Sequence, residues 1–428
     1  MNVLWLTNIL FPEPCRRLGL PEPVLGGWMY AGAQQLLKAS SGLNLTAAMF
    51  YPGERLRFME GDAMSYYLIP APADMAVYQP GLEPCFREIR AASRPEVTHI
   101  HGSEYPHSLA WVRACGARNT VVSVQGLASV CSDFYLGGIP EREMRRHTTL
   151  RDLIRRDTVF AQQRSMRQRG VHERELFQMS GHAIGRTAWD RSHVWAMNPE
   201  ARYHFLNPTL REPFYRNVWN PEDCERHTIF LSQSHYPLKG LHKMAEALPL
   251  ILRHYPDARV HVAGPDIFSV PAWRRNGYTN YMCSLLDRLK IRDRFSFLGR
   301  LTAEEMCAQY KKTHVFICPS IIENESNSLA EAQMTGTPCI AAYAGGMMDS
   351  IVDGETGFLY RFEETELLAM RVCRLFGDME LCRRMSSQGR LAAQARHDRA
   401  ANAARLECIY HEIAGDAAAQ AKTGKEPS

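Results

Sequence analysis

The chain has 428 residues, 45% hydrophobic and 22% charged, with a formal charge of +4. This length exceeds one ordinary core and predicts two domains of roughly 200 residues. Ordinary composition excludes a disordered or fibrous class, and so small a charge gives no argument for nucleic-acid binding.

The opening "MNVLWLTNILF" lacks a basic leader and reads as a first strand, and no apolar run is long enough to span a bilayer. A cytoplasmic protein is expected. A Gly/Pro-rich loop with Gly26 and Gly27 leads into the helical "WMYAGAQQLLKAS", followed by strands "LNLTAAMFY" and "MSYYLIPAP". A helix near "CFREIRAA" then precedes "VTHIHG", and "SLAWVRACG" precedes "TVVSVQG". Strands spaced by helix-length crossovers predict a parallel sheet covered on both faces.

Residues 141–175 hold ten arginines, no lysine and six acids. Leu150, Leu153, Ile154 and Phe160 recur near helical spacing, which predicts an amphipathic helix. Its arginines form either a solvated face or a surface for anionic lipid. "GHAIGRTAWDRSHVWAM" gives a strand, a turn and a helix, with Thr187 and Asp190 at capping-box spacing. The Pro-, Asn- and charge-rich Asn207–His227 is the expected interdomain linker.

A second alternating series follows: "TIFLSQS", a helix from Leu241, "ARVHVAG", "RFSFLG", "HVFICPS" and "PCIAAYAGG", with helices between them. Two tandem doubly wound units place a ligand crevice at the carboxyl ends of their strands. The expected domains are residues 1–207 and 208–400. Residues 401–428 are expected to form a helix returning to the first domain and then a tail, disordered after about Ala414. Twelve cysteines stand singly with no CxxC pair, which removes the usual case for zinc or a redox dithiol. His99 and His101 lie on one strand face but lack a third clustered ligand, so no metal is expected.

"PSIIENESNSLAEAQMTGTPCI", Pro319 to Ile340, joins a buried strand to a helix capped near Ser326 and stopped at Gly336. Glu323 then falls in the loop and Glu331 one turn into the helix. Acid near a helix start can simply compensate the dipole. Amides from Ser326 to Ser328 would nevertheless suit a diphosphate, and carboxylates on either side would suit ribose and sugar hydroxyls. Glu-x7-Glu alone carries little weight.

With Glu331-Ala332, Gly336-Thr337-Pro338, Gly345-Gly346 and "GETGF" in order, this stretch resembles the donor signature of the group 1, family 4 retaining glycosyltransferases. "HIHG", "YPLKG", "VHVAG" and "FSFLGRL" are weaker echoes. The resemblance implies the α/β GT-B fold, with two Rossmann-like doubly wound domains facing a central cleft. It also implies a retaining sugar transfer from a nucleoside diphosphate sugar to a glycan or lipid-linked acceptor, in polysaccharide or glycoconjugate biosynthesis. No cofactor or metal is implied; the nucleotide sugar is a co-substrate.

By the same resemblance, Glu331 holds the ribose and Glu323 the transferred sugar. Glu325 and Ser326 present amides to sugar hydroxyls, Asn327 and Ser328 to phosphates, and Lys239 neutralises the leaving diphosphate. Gly26 and Gly27 form the first-domain glycine loop, while Gly264 and Leu301 line the base pocket. A backbone carbonyl near Gln125 helps stabilise the oxocarbenium-like sugar, and His101, Ser103 and Glu104 face the acceptor. Two departures stand out: Gln125 replaces a frequent histidine, and Gln233 or Ser234 stands where relatives carry a diphosphate-binding arginine. His235, another arginine or a water must compensate; Arg186 is expected to be a structural surface residue instead.

A metal-chelating Asp-x-Asp, expected of the other main glycosyltransferase fold, is absent. The alternatives are a nucleotide-sugar epimerase of the same fold and a non-catalytic nucleotide-sugar-binding protein. An oxidoreductase is disfavoured because no GxGxxG follows the first strand. Peripheral contact with the inner face of a membrane, through residues 141–175, is a further expectation.

Overall fold

A computed structural model of the chain describes residues 1–23, 26–233 and 235–423, with side chains to 419. It divides into one unit of Met1–Val130, Met166–Thr209 and His397–Ser428, and another of Cys131–Ser165 and Leu210–Arg396. The expected boundary at residue 207 thus falls at Thr209, and residues 131–165, expected in the first domain, belong with the second. The last helix, Arg399–Thr423, continues past Ala414 where a disordered tail was expected. Residues 424–428 lie outside the described residues.

The first unit holds β1 (Asn2–Thr7), β2 (Asn44–Tyr51), β3 (Arg57–Glu60), β4 (Ser65–Pro70), β5 (Val97–His101), β6 (Thr120–Ser123), β7 (His182–Gly185) and β8 (Arg202–Phe205). Their order is β3-β4-β2-β1-β5-β6-β7-β8, parallel except for the antiparallel β3–β4 pair. Strand alternation sends Leu4 and Leu6 to one face, among Phe86, Trp111 and Phe177, and Val3 and Trp5 to the other, among Met29, Leu36 and Tyr410. Both faces are therefore apolar, as a covered parallel sheet requires.

The last helix is fastened to this unit by a buried relay. The Trp5 indole N–H donates to Tyr410 Oη at 2.7 Å, which lies 2.7 Å from His99 Nδ1, while His99 Nε2 lies 2.6 Å from Ser123 Oγ. Tyr410→Phe strips two buried partners at once. It is expected to cost about 2 kcal/mol in a urea unfolding series; an unchanged midpoint would remove this relay as the fastening.

The second unit holds β9 (Glu225–Leu231), β10 (Arg259–Val262), β11 (Phe295–Phe297), β12 (Thr313–Cys318), β13 (Cys339–Ala342) and β14 (Phe358–Tyr360), in the order β11-β10-β9-β12-β13-β14. All its pairs are parallel, so every carboxyl end lies along one edge, and the order reverses between β9 and β12.

The segment read as a linker is mostly part of this unit. Phe214 and Trp219 are buried, the Trp219 backbone N–H donates to Thr335 O at 2.7 Å, and its indole donates to Thr313 O at 2.8 Å. Composition misled because the polar residues surround these two aromatic anchors.

The arginine-rich stretch is also not one amphipathic helix. It forms helices Glu141–His147, Leu150–Arg155 and Val159–Met179, broken at Thr149, which caps the middle helix with Asp152, and at Arg156 in the left-handed region, φ 54°. Leu150, Leu153 and Ile154, expected on a packed face, are 72%, 59% and 73% exposed. Buried Asp152 instead ties the stretch down, accepting the Gly277 N–H at 2.7 Å, and His242 Nε2 lies 2.8 Å from Gly137 O.

Candidate active site

In the second unit, β12 ends at Cys318 and the helix Asn327–Thr335 follows an eight-residue loop. Ser326 caps the helix, its hydroxyl accepting the Leu329 N–H, and Gly336 closes it in the left-handed region, φ 79°, as the sequence predicted. Ser326 and Glu325 are buried, while Asn327 and Ser328 are half-buried in the first turn. The first amides of a helix have no partner within it, so this turn presents donors and the positive end of the dipole.

Two loops are stitched beside it. The Ile321 N–H donates to Leu238 O at 2.8 Å, and Gly240 packs so closely on the Pro319 carbonyl that any Cβ would collide. Gly240 has φ +70°, so glycine is required twice over. This stitching sets Lys239 Nζ 2.7 Å from Glu323 Oε2. Burial opposes the lysine charge, but Glu323 and Tyr236 outweigh it and hold the ammonium well above its usual range. The Glu323 carbonyl in turn accepts the Gly346 N–H at 3.0 Å, and Gly345 meets that same carbonyl where no Cβ could fit. The paired glycines of the signature thus serve to let β13 approach this loop.

Glu331 is buried one turn into the helix and has a partner that sequence reasoning missed. Arg211 donates to Glu331 Oε1 through Nε at 3.0 Å and Nη2 at 2.8 Å, and its guanidinium lies 5.0 Å from the Phe214 ring. Burial pushes the Glu331 carboxyl up, with Arg211 pulling the other way. Nothing in "NPTLREPF" marks Arg211, which was assigned to the linker.

Gly264 and Gly299 pair at the ends of β10 and β11, exchanging N–H bonds of 2.7 and 3.1 Å, and half-buried Leu301 follows. Lys239, Glu323, the helix start, Gly264 and Leu301 therefore share the carboxyl edge of one sheet. His235 lies in range of two cations: desolvation, then the charges of Lys239 and Arg300, push its imidazole down. Ser234 lies outside the described residues.

The other predicted residues belong to the first unit, after β1, β5 and β6. Gly26 has φ +77°, begins the helix Gly27–Ala39, and a Cβ there would strike the Ile9 side chain. Half-buried Gln125 donates to Met29 Sδ at 3.6 Å. Ser103 Oγ donates to buried Glu173 at 2.7 Å, and burial pushes the Glu104 carboxyl up to about 7. His101 is buried and stacked on His99, ring centroids 3.8 Å apart. Arg186, expected at the surface, is buried.

The chain resembles solved structures over nearly its whole length. Sucrose-phosphate synthase from Thermosynechococcus elongatus superposes with a TM-score of 0.70 at 15% identity, covering 96% of this chain and 99% of that one. Anabaena Alr3699/HepE, solved in complex with UDP and glucose, gives 0.64 at 14% identity, covering 96% and 100%. The fold is GT-B.

In sequence, residues 214–392 of this GT-B chain match the family described as Glycosyl transferases group 1. The D-inositol 3-phosphate glycosyltransferase of Corynebacterium efficiens is 31% identical over 179 residues, 41% of this chain and 40% of that protein. The chain spans less than half the length of the first curated relatives it matches, 48% and 40%. The family match covers the second unit's predicted donor residues Lys239, Gly264, Leu301, Glu323 and Glu331, and excludes Arg211.

Proposed function

We propose that the protein is a retaining glycosyltransferase of family 4 that moves a sugar from a nucleoside diphosphate sugar to a glycan or lipid-linked acceptor, in polysaccharide or glycoconjugate synthesis in the cytoplasm. The observation that carries this reading is the Lys239–Glu323 pair, held by stitched loops on the sheet edge that also carries the capped helix start. In this reading the diphosphate docks on the amides of Asn327 and Ser328 and on Lys239, while Glu331 accepts from the ribose diol. Glu323, Glu325 and Ser326 face the sugar, and Gly264 and Leu301 face the base. Gly26, Gly27 and the backbone at Gln125 come from the first unit, which also receives the acceptor beside His101, Ser103 and Glu104.

The bond from the anomeric carbon to the diphosphate oxygen breaks as the acceptor oxygen bonds to the same face of that carbon, and the acceptor proton passes to the diphosphate. Lys239 acts most strongly on the charge that grows as this bond breaks. Exposed Arg300, which directly follows Gly299 of the Gly264–Gly299 pair on the same sheet edge, is our candidate for the second cation where relatives have an arginine. Alr3699/HepE is solved with UDP and with UDP-glucose, which puts UDP-sugars first among candidate donors.

A thermal-shift panel of UDP-, GDP- and ADP-sugars tests this. A ligand at 100 times its Kd is expected to stabilise the fold by about 2.7 kcal/mol. No shift from any of them would overturn the reading, and donor interconversion without acceptor would move it to an epimerase.

A membrane-facing role of the arginine-rich stretch is favoured by one observation: Leu150, Leu153 and Ile154 are exposed beside Arg151, Arg155 and Arg156. Among the described residues no helix is long and apolar enough to cross a membrane. Apolar side chains rimmed by arginine suit the interface of an anionic bilayer. Vesicles rich in phosphatidylserine should co-sediment the protein, and Arg155→Glu with Arg156→Glu should release it; equal sedimentation would leave a solvated face.

A further inference from the structure

The sequence "YPLKG" folds into a single tight turn that carries Lys239. Pro237 stands at its first helical position, where the fixed φ of proline is preorganised, and the Lys239 N–H donates to Tyr236 O at 3.1 Å. Pro237 and Leu238 are buried, and Gly240 ends the turn in the left-handed region. A backbone bond that spans three residues belongs to a turn of three residues, so positions 236 and 239 project from the same side of it. The Lys239 ammonium therefore lies 5.7 Å from the centre of the Tyr236 ring. The lysine of this turn has a role in the reading above, and the tyrosine has none.

The Tyr236 ring is packed from behind. It lies 6.5 Å from the Tyr135 ring at an interplanar angle of 24°, and 4.7 Å from the His235 ring. Tyr135 is buried, and its Oη donates to Gln162 Oε1 at 2.8 Å. Residues 131–165, which belong to the second unit but lie outside the family match, thus supply the wall against which Tyr236 rests. Burial pushes the Tyr236 phenol up, and next in weight come the two members of the ion pair, Lys239 pulling it down and Glu323 pushing it up. The phenol thus keeps its proton at neutral pH and sits beside both ends of the pair. Lys239 has donors and no acceptor, so the tyrosine oxygen can only accept from it, and the phenol proton is left for another oxygen.

We propose that the Tyr236 hydroxyl donates a hydrogen bond to the terminal phosphate of a nucleoside diphosphate on this sheet edge, so that one turn presents a cation and a neutral donor to the same leaving group. The inference rests on the reading of this edge as the donor site. No bond to tyrosine forms and no proton leaves it; the O–H answers the charge that gathers on the phosphate oxygen as the bond to the sugar breaks.

Titration calorimetry of the full chain with UDP, GDP and ADP, and with UMP, GMP and AMP, tests it in the wild type and in Tyr236→Phe. Phenylalanine keeps the ring that Tyr135 and His235 pack against and removes only the hydroxyl. The diphosphate that binds the wild type is expected to bind Tyr236→Phe about tenfold more weakly, the scale of one hydrogen bond to a charged group. The matching monophosphate lacks the phosphate that Tyr236 meets and should bind both proteins alike, a difference that a tyrosine serving only to pack the turn would not produce. Equal diphosphate affinity in the two proteins, or an equal loss for the monophosphate, would overturn the proposal and leave the donor-site reading standing. A wild type that binds none of the three diphosphates would instead overturn the donor-site reading, and this inference with it.

Discussion

Replacing Lys239 with alanine is expected to lower kcat by about 10²- to 10³-fold, the range found when one group stabilising a developing anion is removed. Donor KM should change less, because the intact diphosphate can still dock on the helix amides, while the charge that develops on the departing group loses its nearest cation. The geometry is specific about this. Lys239 is held 2.7 Å from Glu323, a side chain brought there by Gly240 and the Ile321–Leu238 bond. Steady-state kinetics with the donor found by thermal shift decides the matter. A loss confined to KM would reduce Lys239 to a binding residue, and Lys239→Arg should recover part of kcat if charge is what matters.

Glu331→Ala should produce two separable losses. Donor affinity should fall by about 1 to 3 kcal/mol, the cost of stripping a charged partner from buried hydrogen bonds. The fold should also lose about 3 kcal/mol, the lower end for removing one member of a buried ion pair, because Arg211 is left 19% exposed with no carboxylate against it. The double variant with Arg211→Met should regain much of the stability and none of the donor affinity. Calorimetry and urea unfolding on the four proteins of the cycle separate the two effects. Unchanged donor affinity in Glu331→Ala would leave Glu331 as the counter-charge of Arg211 and nothing more.

The loop from Pro319 to Ser326 was legible because its signals are local. An apolar run for β12, Ser326 as a cap and Gly336 as a stop each act over a few residues, and the structure realises all of them. Strands β3 and β8, "RFME" and "RYHF", were missed because charged, partly exposed edges carry no apolar run. Arg211, Arg186 and the exposed Leu150 were misread for a different reason. Their surroundings are set by partners far along the chain, Glu331 for Arg211 and the helix start at Gly277 for the arginine-rich stretch. Composition therefore proposed a linker, a surface arginine and a packed amphipathic face, and long-range packing decided otherwise.

The excursion of residues 131–165 has a consequence for modular exchange. A cassette cut at Leu210 and Arg396, or at the narrower limits of the family match, would omit the Gly137 carbonyl that answers His242 and the Asp152 carboxylate that answers the Gly277 N–H. Each orphaned group would have to recruit water, and the helices that carry them would lose the surface laid against them. Grafting a foreign second unit onto this protein therefore requires two exchanged segments rather than one, and lineages that recombined at the obvious seam would inherit a unit with its flank stripped away.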